Sequence, residues 1–109
     1  MKVVVVNKYK PINDGRTKVY IGRGSPLGNP YPITSEHSRD CVCDMHEELM
    51  RTEWEDHSMG RPSKAVDTIK ALAVRAHRGE RIALECFCKP KRCHGDFIAK
   101  IINWYVTTL

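Results

Sequence analysis

A small single-domain α/β fold is predicted for this 109-residue chain, with a short mixed sheet of about three strands covered by about three helices. Three features predict it. β-branched and aromatic runs occupy 2–6 and 17–22, and two segments with helical spacing of apolar residues fill 35–56 and 63–79. A short apolar stretch at 81–88 then leads into a final helical pattern, giving the order β-β-α-α-β-α. A chain of this length builds one domain, residues 1–109, around a modest core.

The first strand is the run Lys2 to Val6, bounded by Asn7. Asn7 to Arg16 contains Pro11 and the turn pair Asp14-Gly15, so it reads as a loop before a second strand at Thr17 to Gly22. Because so short a connection rarely holds a helical crossover, the two strands are expected to form a hairpin. The loop from Arg23 to Pro32 carries Gly24, Gly28 and three prolines, which forbid regular structure and stiffen the chain. Arg23, with free backbone N–H groups at Gly24 and Ser25, could hold an anion. Neither a Walker loop nor a dinucleotide fingerprint matches this glycine spacing.

Ser35 or Ser38 caps the expected first helix, whose core stripe is Val42, Met45, Leu49 and Trp54. Cys41, Cys43 and the acids Asp44, Glu47, Glu48 and Glu55 fall mostly elsewhere. Ser63 caps the second helix, with Val66, Ile69, Leu72, Ala73 and Ala76 facing inward and Gly79 closing it. The third strand, Arg81 to Cys88, places Ile82, Leu84, Cys86 and Cys88 on one face, and could lie parallel to one of the first two. The last helix, His94 to about Thr107, presents Phe97, Ile98, Ile101, Ile102 and Tyr105.

An apolar share of 41% and a charged share of 28% suit a soluble globular protein. The longest apolar run, Val3 to Val6, is too short to cross a bilayer or serve as a signal-peptide core, so no membrane role and a cytoplasmic location are expected. Five cysteines, an odd number, argue against a closed disulfide framework and toward metal binding or thiol chemistry. The net charge of +5 is uneven. Residues 36–60 carry eight acids against two Lys/Arg, whereas residues 61–109 carry ten Lys/Arg against four acids. Basic segments attract phosphate-bearing partners, while the acidic block argues against a general nucleic-acid coat.

The densest chemistry lies in 84–96, where a buried strand breaks at Pro90 and re-enters as a helix at about His94. Three readings compete there. Cys86, Cys88, Cys93 and His94 could close a tetrahedron around zinc, although Cys-x-Cys spacing and adjacent Cys93 and His94 are awkward for one ion. Alternatively, Cys93 sits at a helix N-terminus among Lys89, Lys91 and Arg92, where a lowered thiol pKa is expected. It would then act as a nucleophile, with His94 or Asp96 managing protons, or its neighbouring amides would bind a phosphate. The third reading is structural: Cys86 belongs to the core, His94 caps the helix and Asp96 complements its dipole.

Two motifs together carry a resemblance: Arg23-Gly24-Ser25-Pro26-Leu27-Gly28-Asn29-Pro30, and the run from Cys86 to Asp96. The chain resembles a small phage and bacterial domain family of unassigned function, marked by an Arg-Gly-Ser-Pro-x-Gly-Asn-Pro loop and a Cys-x-Cys-x-Pro-x-x-Cys-His-Gly-Asp segment. The resemblance covers nearly the whole chain and departs at the first helix, where Cys41, Cys43 and the acidic run are idiosyncratic. It implies that Arg23, Gly24, Ser25, Gly28 and Asn29 form one site with Cys86, Cys88, Cys93 and His94. The strand ends would meet if the strands are neighbours and parallel.

The expected function is a nucleotide- or nucleic-acid-related binding protein or enzyme, performing transfer or hydrolysis at a nucleoside or phosphate. Arg23, Gly24, Ser25, Gly28 and Asn29 would bind the substrate, and Cys93, His94 and Asp96 would face the reacting group. The alternative is a phage-type interaction protein that grips a host protein through the acidic helix 36–56 in the host cytoplasm, with the cysteine segment a scaffold or zinc-stabilised element.

Overall fold

The computed structural model describes residues 3–10, 14–87 and 89–109, so Cys88 lies outside the described residues. The elements are β1 (Val3–Asn7), β2 (Thr17–Tyr20), α1 (Arg39–Ser58), α2 (Lys64–His77), β3 (Ile82–Cys86) and α3 (His94–Val106). Their order is the expected one. No helix among the described residues is long and apolar enough to cross a membrane.

The sheet runs β1-β3-β2 and both pairs are parallel. The expected hairpin between the first two strands is therefore corrected, and the sheet is parallel rather than mixed. The physical reason lies in β3. Ile82, Ala83, Leu84 and Cys86 are all buried, the signature of a central strand that needs a neighbour on each edge. The nine residues 8–16 between β1 and β2 can reach roughly 30 Å when extended. That exceeds the roughly 17 Å length of a five-residue strand, so the chain can return to the starting edge without a helix.

Edge strand β1 would leave the main-chain groups of Val3 open on its outer side. The Asn103 side chain of α3 closes them, accepting from Val3 N at 3.1 Å and donating to Val3 O at 2.9 Å. Below the sheet, Ile98 and Ile102 of α3 join Leu84, Ile82 and Val3, and α2 adds Ile69, Leu72, Ala73 and Ala76. Each fully buried aliphatic side chain contributes about 1.5–3 kcal/mol. The inward residues of α2 and the stripe of α3 match the periodicity, because both helices present one strongly apolar face.

In α1 the buried residues are Val42, Cys43, His46 and Met50, not the stripe expected from Val42, Met45, Leu49 and Trp54. The helix is rotated so that Met45 and Leu49 are half-buried while Cys43 and His46 go inside. Ser38, one of the two candidate caps, accepts a hydrogen bond from Cys41 N at 3.2 Å. His46 is 1% exposed, its Nδ1 has no hydrogen-bond partner among the described residues, and its ring lies 5.1 Å from that of His94. Burial, reinforced by the nearby His94, pushes the His46 pKa from 6.5 down to about 4.

Two consequences can be measured. The Ser63 hydroxyl accepts from Val66 N at 3.2 Å at the start of α2, so Ser63→Ala should lower stability by about 1 kcal/mol in urea unfolding. An unchanged midpoint would mean that this cap contributes nothing. His46 makes stability acid-sensitive: between pH 6.5 and 4 the unfolded chain binds a proton that the folded protein excludes. Stability is then full above pH 6.5 and falls by up to about 3 kcal/mol as pH drops toward 4. His46→Leu should flatten the urea midpoint between pH 6.5 and 5; a slope kept in the variant would place the sensitivity in other groups.

Candidate functional site

Because all three strands run the same way, their carboxyl ends share one edge, which is where open parallel sheets bind ligands. A cleft of about 430 Å³ opens there. Of the residues singled out in the sequence, Arg23, Asn29, Cys86, Cys93 and His94 line it. Gly24, Ser25 and Gly28 instead line a shallower hollow of about 260 Å³ that shares Arg23 and Asn29 with the cleft.

The loop after β2 is held from inside. Leu27 is 2% exposed and anchors it in the core. Gly28 packs so tightly that a Cβ there would stand 2.6 Å from Gly22 O, which explains a glycine at this position. Gly24 takes φ 87°, the left-handed region that glycine enters without strain. Ser25 donates to Gly22 O from both its backbone N–H, at 3.1 Å, and its hydroxyl, at 2.6 Å. The expected free amide at Ser25 is thus corrected: it closes the turn and does not await an anion. Asn29 likewise clamps the loop, donating to Val42 O of α1 at 3.1 Å and accepting from Tyr31 N at 2.9 Å. Arg23 remains exposed at the mouth.

On the opposite wall, Cys93 is the N-cap of α3 and its Sγ lies 3.2 Å from Cys86 Sγ, with both thiols buried. The hydrogen bond to Cys86 and burial push the Cys93 thiol far above its ordinary range. This corrects the expected lowered pKa. The helix dipole does favour a thiolate, but the sequence could not show that the sulfur would be withdrawn from water and set against a second thiol. His94 directs Nε2 at Ile21 O, 2.7 Å away. Asp96 accepts from Cys93 N at 3.3 Å and pairs with Lys89 at 2.6 Å, which raises the Lys89 pKa. Cys93, His94 and Asp96 therefore share one helix turn, yet each is engaged with a different group. Among the described residues no group of three His, Cys, Asp or Glu side chains could hold a metal ion. Cys88, the fourth candidate zinc ligand, lies outside the described residues.

The residues that sequence reasoning missed fix the wall in place. The Arg92 guanidinium reaches Asp40 at 3.1 Å, Asp44 at 2.8 Å and Glu47 at 3.3 Å, and its hydrogen bonds to Asp44 and Asp40 raise its pKa. Arg39 of α1 donates to Arg92 O at 3.3 Å. The loop before α3 is thereby riveted to the first turns of α1, with one cation shared among three acids of that helix. Cys43, assigned no role from sequence, lines the cleft from α1. Tyr20, Tyr31 and Phe87 supply aromatic walls. The signal for Arg92 was present, since α1 carries acids at spacings of three and four that offer one cation three partners.

Comparison with known proteins finds one family over most of the chain. Residues 4–104 match the family described as a domain of unknown function, DUF4326. The chain is also 36% identical, over 99 residues, to an uncharacterized 12.4 kDa protein in the nrdA-td intergenic region of Enterobacteria phage T4. That alignment covers 91% of this chain and 76% of the phage protein. No solved structure matches. With both motifs and nearly all of the six elements inside the matched region, the chain belongs to the DUF4326 family.

Proposed function

We propose that the cleft binds a phosphorylated nucleoside, with phosphate at Arg23 and the base between aromatic side chains. The observation that carries this reading is the pairing in one cavity of an exposed arginine with Tyr20, Tyr31 and Phe87. Arginine offers several N–H donors to phosphate oxygens, and an aromatic face accepts any base. The cavity volume falls within the roughly 300–1,000 Å³ of small-molecule sites. Its place at the carboxyl ends of parallel strands supports the same class of ligand.

Binding fits this wall better than covalent chemistry. A transfer or hydrolysis step would fall to Cys93, His94 and Asp96, but the thiol is held protonated and the imidazole is committed to a backbone carbonyl. The alternative of a host protein gripping the acidic helix has less to work with, because Arg92 engages Asp40, Asp44 and Glu47 and offsets one of their three charges.

Calorimetric titration with nucleoside mono-, di- and triphosphates tests the reading. Arg23→Ala should weaken the best ligand by about tenfold or more, the usual loss for a hydrogen bond to a charged group. Equal affinity in the variant sinks the proposal. The state of the thiols can be followed by iodoacetamide labelling with mass mapping at neutral pH. Cys41, half-exposed, should react first, and buried Cys86 and Cys93 should resist until the protein unfolds. Rapid labelling of Cys93 in the folded protein would restore the nucleophile reading.

A further inference from the structure

Next to the cleft, on the same edge of the sheet, stands a cluster of rings that the core does not use. Tyr9 is 79% exposed and Phe87 46% exposed. Their centroids lie 5.1 Å apart, and Phe87 lies 5.8 Å from Tyr20. Lys8 places Nζ 4.5 Å from the Tyr20 ring centroid and 5.8 Å from that of Phe87. Tyr20 and Phe87 also line the cleft, so the rings continue outward from its mouth to Tyr9.

One side chain sets this arrangement. Asn7, the last residue of β1, accepts from Tyr9 N at 2.8 Å and donates to Lys89 O at 2.6 Å. Lys8 N also donates to Cys86 O at 2.8 Å, prolonging the ladder past the strand. The turn that carries Tyr9 and the loop that carries Phe87 are therefore fixed to each other before any ligand arrives. A half-buried amide placed to hold two exposed rings together is preorganisation without a packing return. Contiguous exposed apolar surface of this kind marks an interaction site.

We propose that these rings form a stacking platform for a second base, so that the ligand is a single-stranded nucleic acid and not a free nucleotide. The proposal rests on the cleft reading, with one nucleotide in the cleft and its neighbour on Phe87 and Tyr9. Stacking tolerates any base and requires it unpaired, which selects single strands. Lys8 stands against the rings and Arg23 at the cleft mouth, with exposed Lys10 next to Tyr9 in the chain, giving cations near the line a phosphate backbone would follow. Glu85 shares the Phe87 face of β3 and is the acid on that line, opposite Tyr20 in the ladder.

Fluorescence anisotropy with a 5′-labelled oligothymidylate of about eight nucleotides tests this, alongside titration with thymidine monophosphate and a labelled duplex. The single strand should bind more tightly than the mononucleotide or the duplex. Tyr9→Ala, a change at an exposed site, should weaken the oligonucleotide by about tenfold while leaving the mononucleotide unaffected. Phe87→Ala should weaken both, with the far-ultraviolet dichroism and urea midpoint unchanged. The platform is overturned if Tyr9→Ala leaves oligonucleotide affinity intact, if the mononucleotide binds as well as the strand, or if the duplex binds equally. Should Arg23→Ala affect neither ligand while Tyr9→Ala still acts, the cleft reading fails and the platform stands. No binding of the oligonucleotide overturns the platform, and no binding of the mononucleotide as well overturns both.

Discussion

The parallel pairing of β3 on both of its edges is the constraint on which the rest of the structure depends. A strand with Ile82, Ala83, Leu84 and Cys86 buried cannot sit at an edge, so β1 and β2 must flank it. Both run parallel to it, which brings Asn7, Ile21 and Phe87 to one end of the sheet. Backbone hydrogen bonds continue past the strands there, from Lys8 N to Cys86 O and from Ile21 N to Glu85 O at 3.0 Å. Everything with chemical potential hangs from those three exits. An antiparallel β2 would have sent the Arg23 loop to the opposite end, and no cleft would join the two motifs.

Loops on such an edge are free to wander unless polar side chains hold them, and here three do so. Asn7 ties the turn after β1 to the segment after β3. Asn29 ties the loop after β2 to α1. Arg92 ties the approach to α3 to the acids of α1. Exposed ion pairs taken singly contribute little, but one guanidinium shared among three carboxylates resists displacement of any one of them. Asn29, which also lines the cleft, thus holds the loop through its amide. A cleft wall needs fixing before it can recognise anything.

Much of this was legible in the sequence where one physical signal dominated. Ser63 and the inward residues of α2 follow from a cap and a clean periodicity, and the start of α3 at His94 follows from the break at Pro90. The meeting of the Arg23 loop with Cys86, Cys93 and His94 needed parallel strands, which the alternation of residues does not encode. In α1 the apolar stripe was ambiguous, because Met45 and Leu49 are as hydrophobic as the residues that are buried. The choice fell to tertiary packing, which took Cys43 and His46 inward. A histidine with an unpartnered buried nitrogen is a poor choice on propensity alone, and such a conflict is common near functional sites.

Charge explains why the thiols differ from a reactive cysteine despite the same local sequence. Lys89, Lys91 and Arg92 surround Cys93 in the chain, and on that basis a thiolate is expected. In three dimensions Lys89 is matched by Asp96 and Arg92 by three carboxylates, so neither offers its full charge to the sulfur. Cys86 adds a second thiol whose ionisation would oppose that of Cys93. The hydrogen bond to Cys86 and then burial hold the Cys93 thiol protonated. Arg23, on the other wall, is a cation at the cleft with no carboxylate partner among the described residues, and a ligand's negative charge would settle there. The site thus divides its labour: the cysteine wall is fixed in place by its hydrogen bonds and ion pairs, and the arginine loop supplies the field.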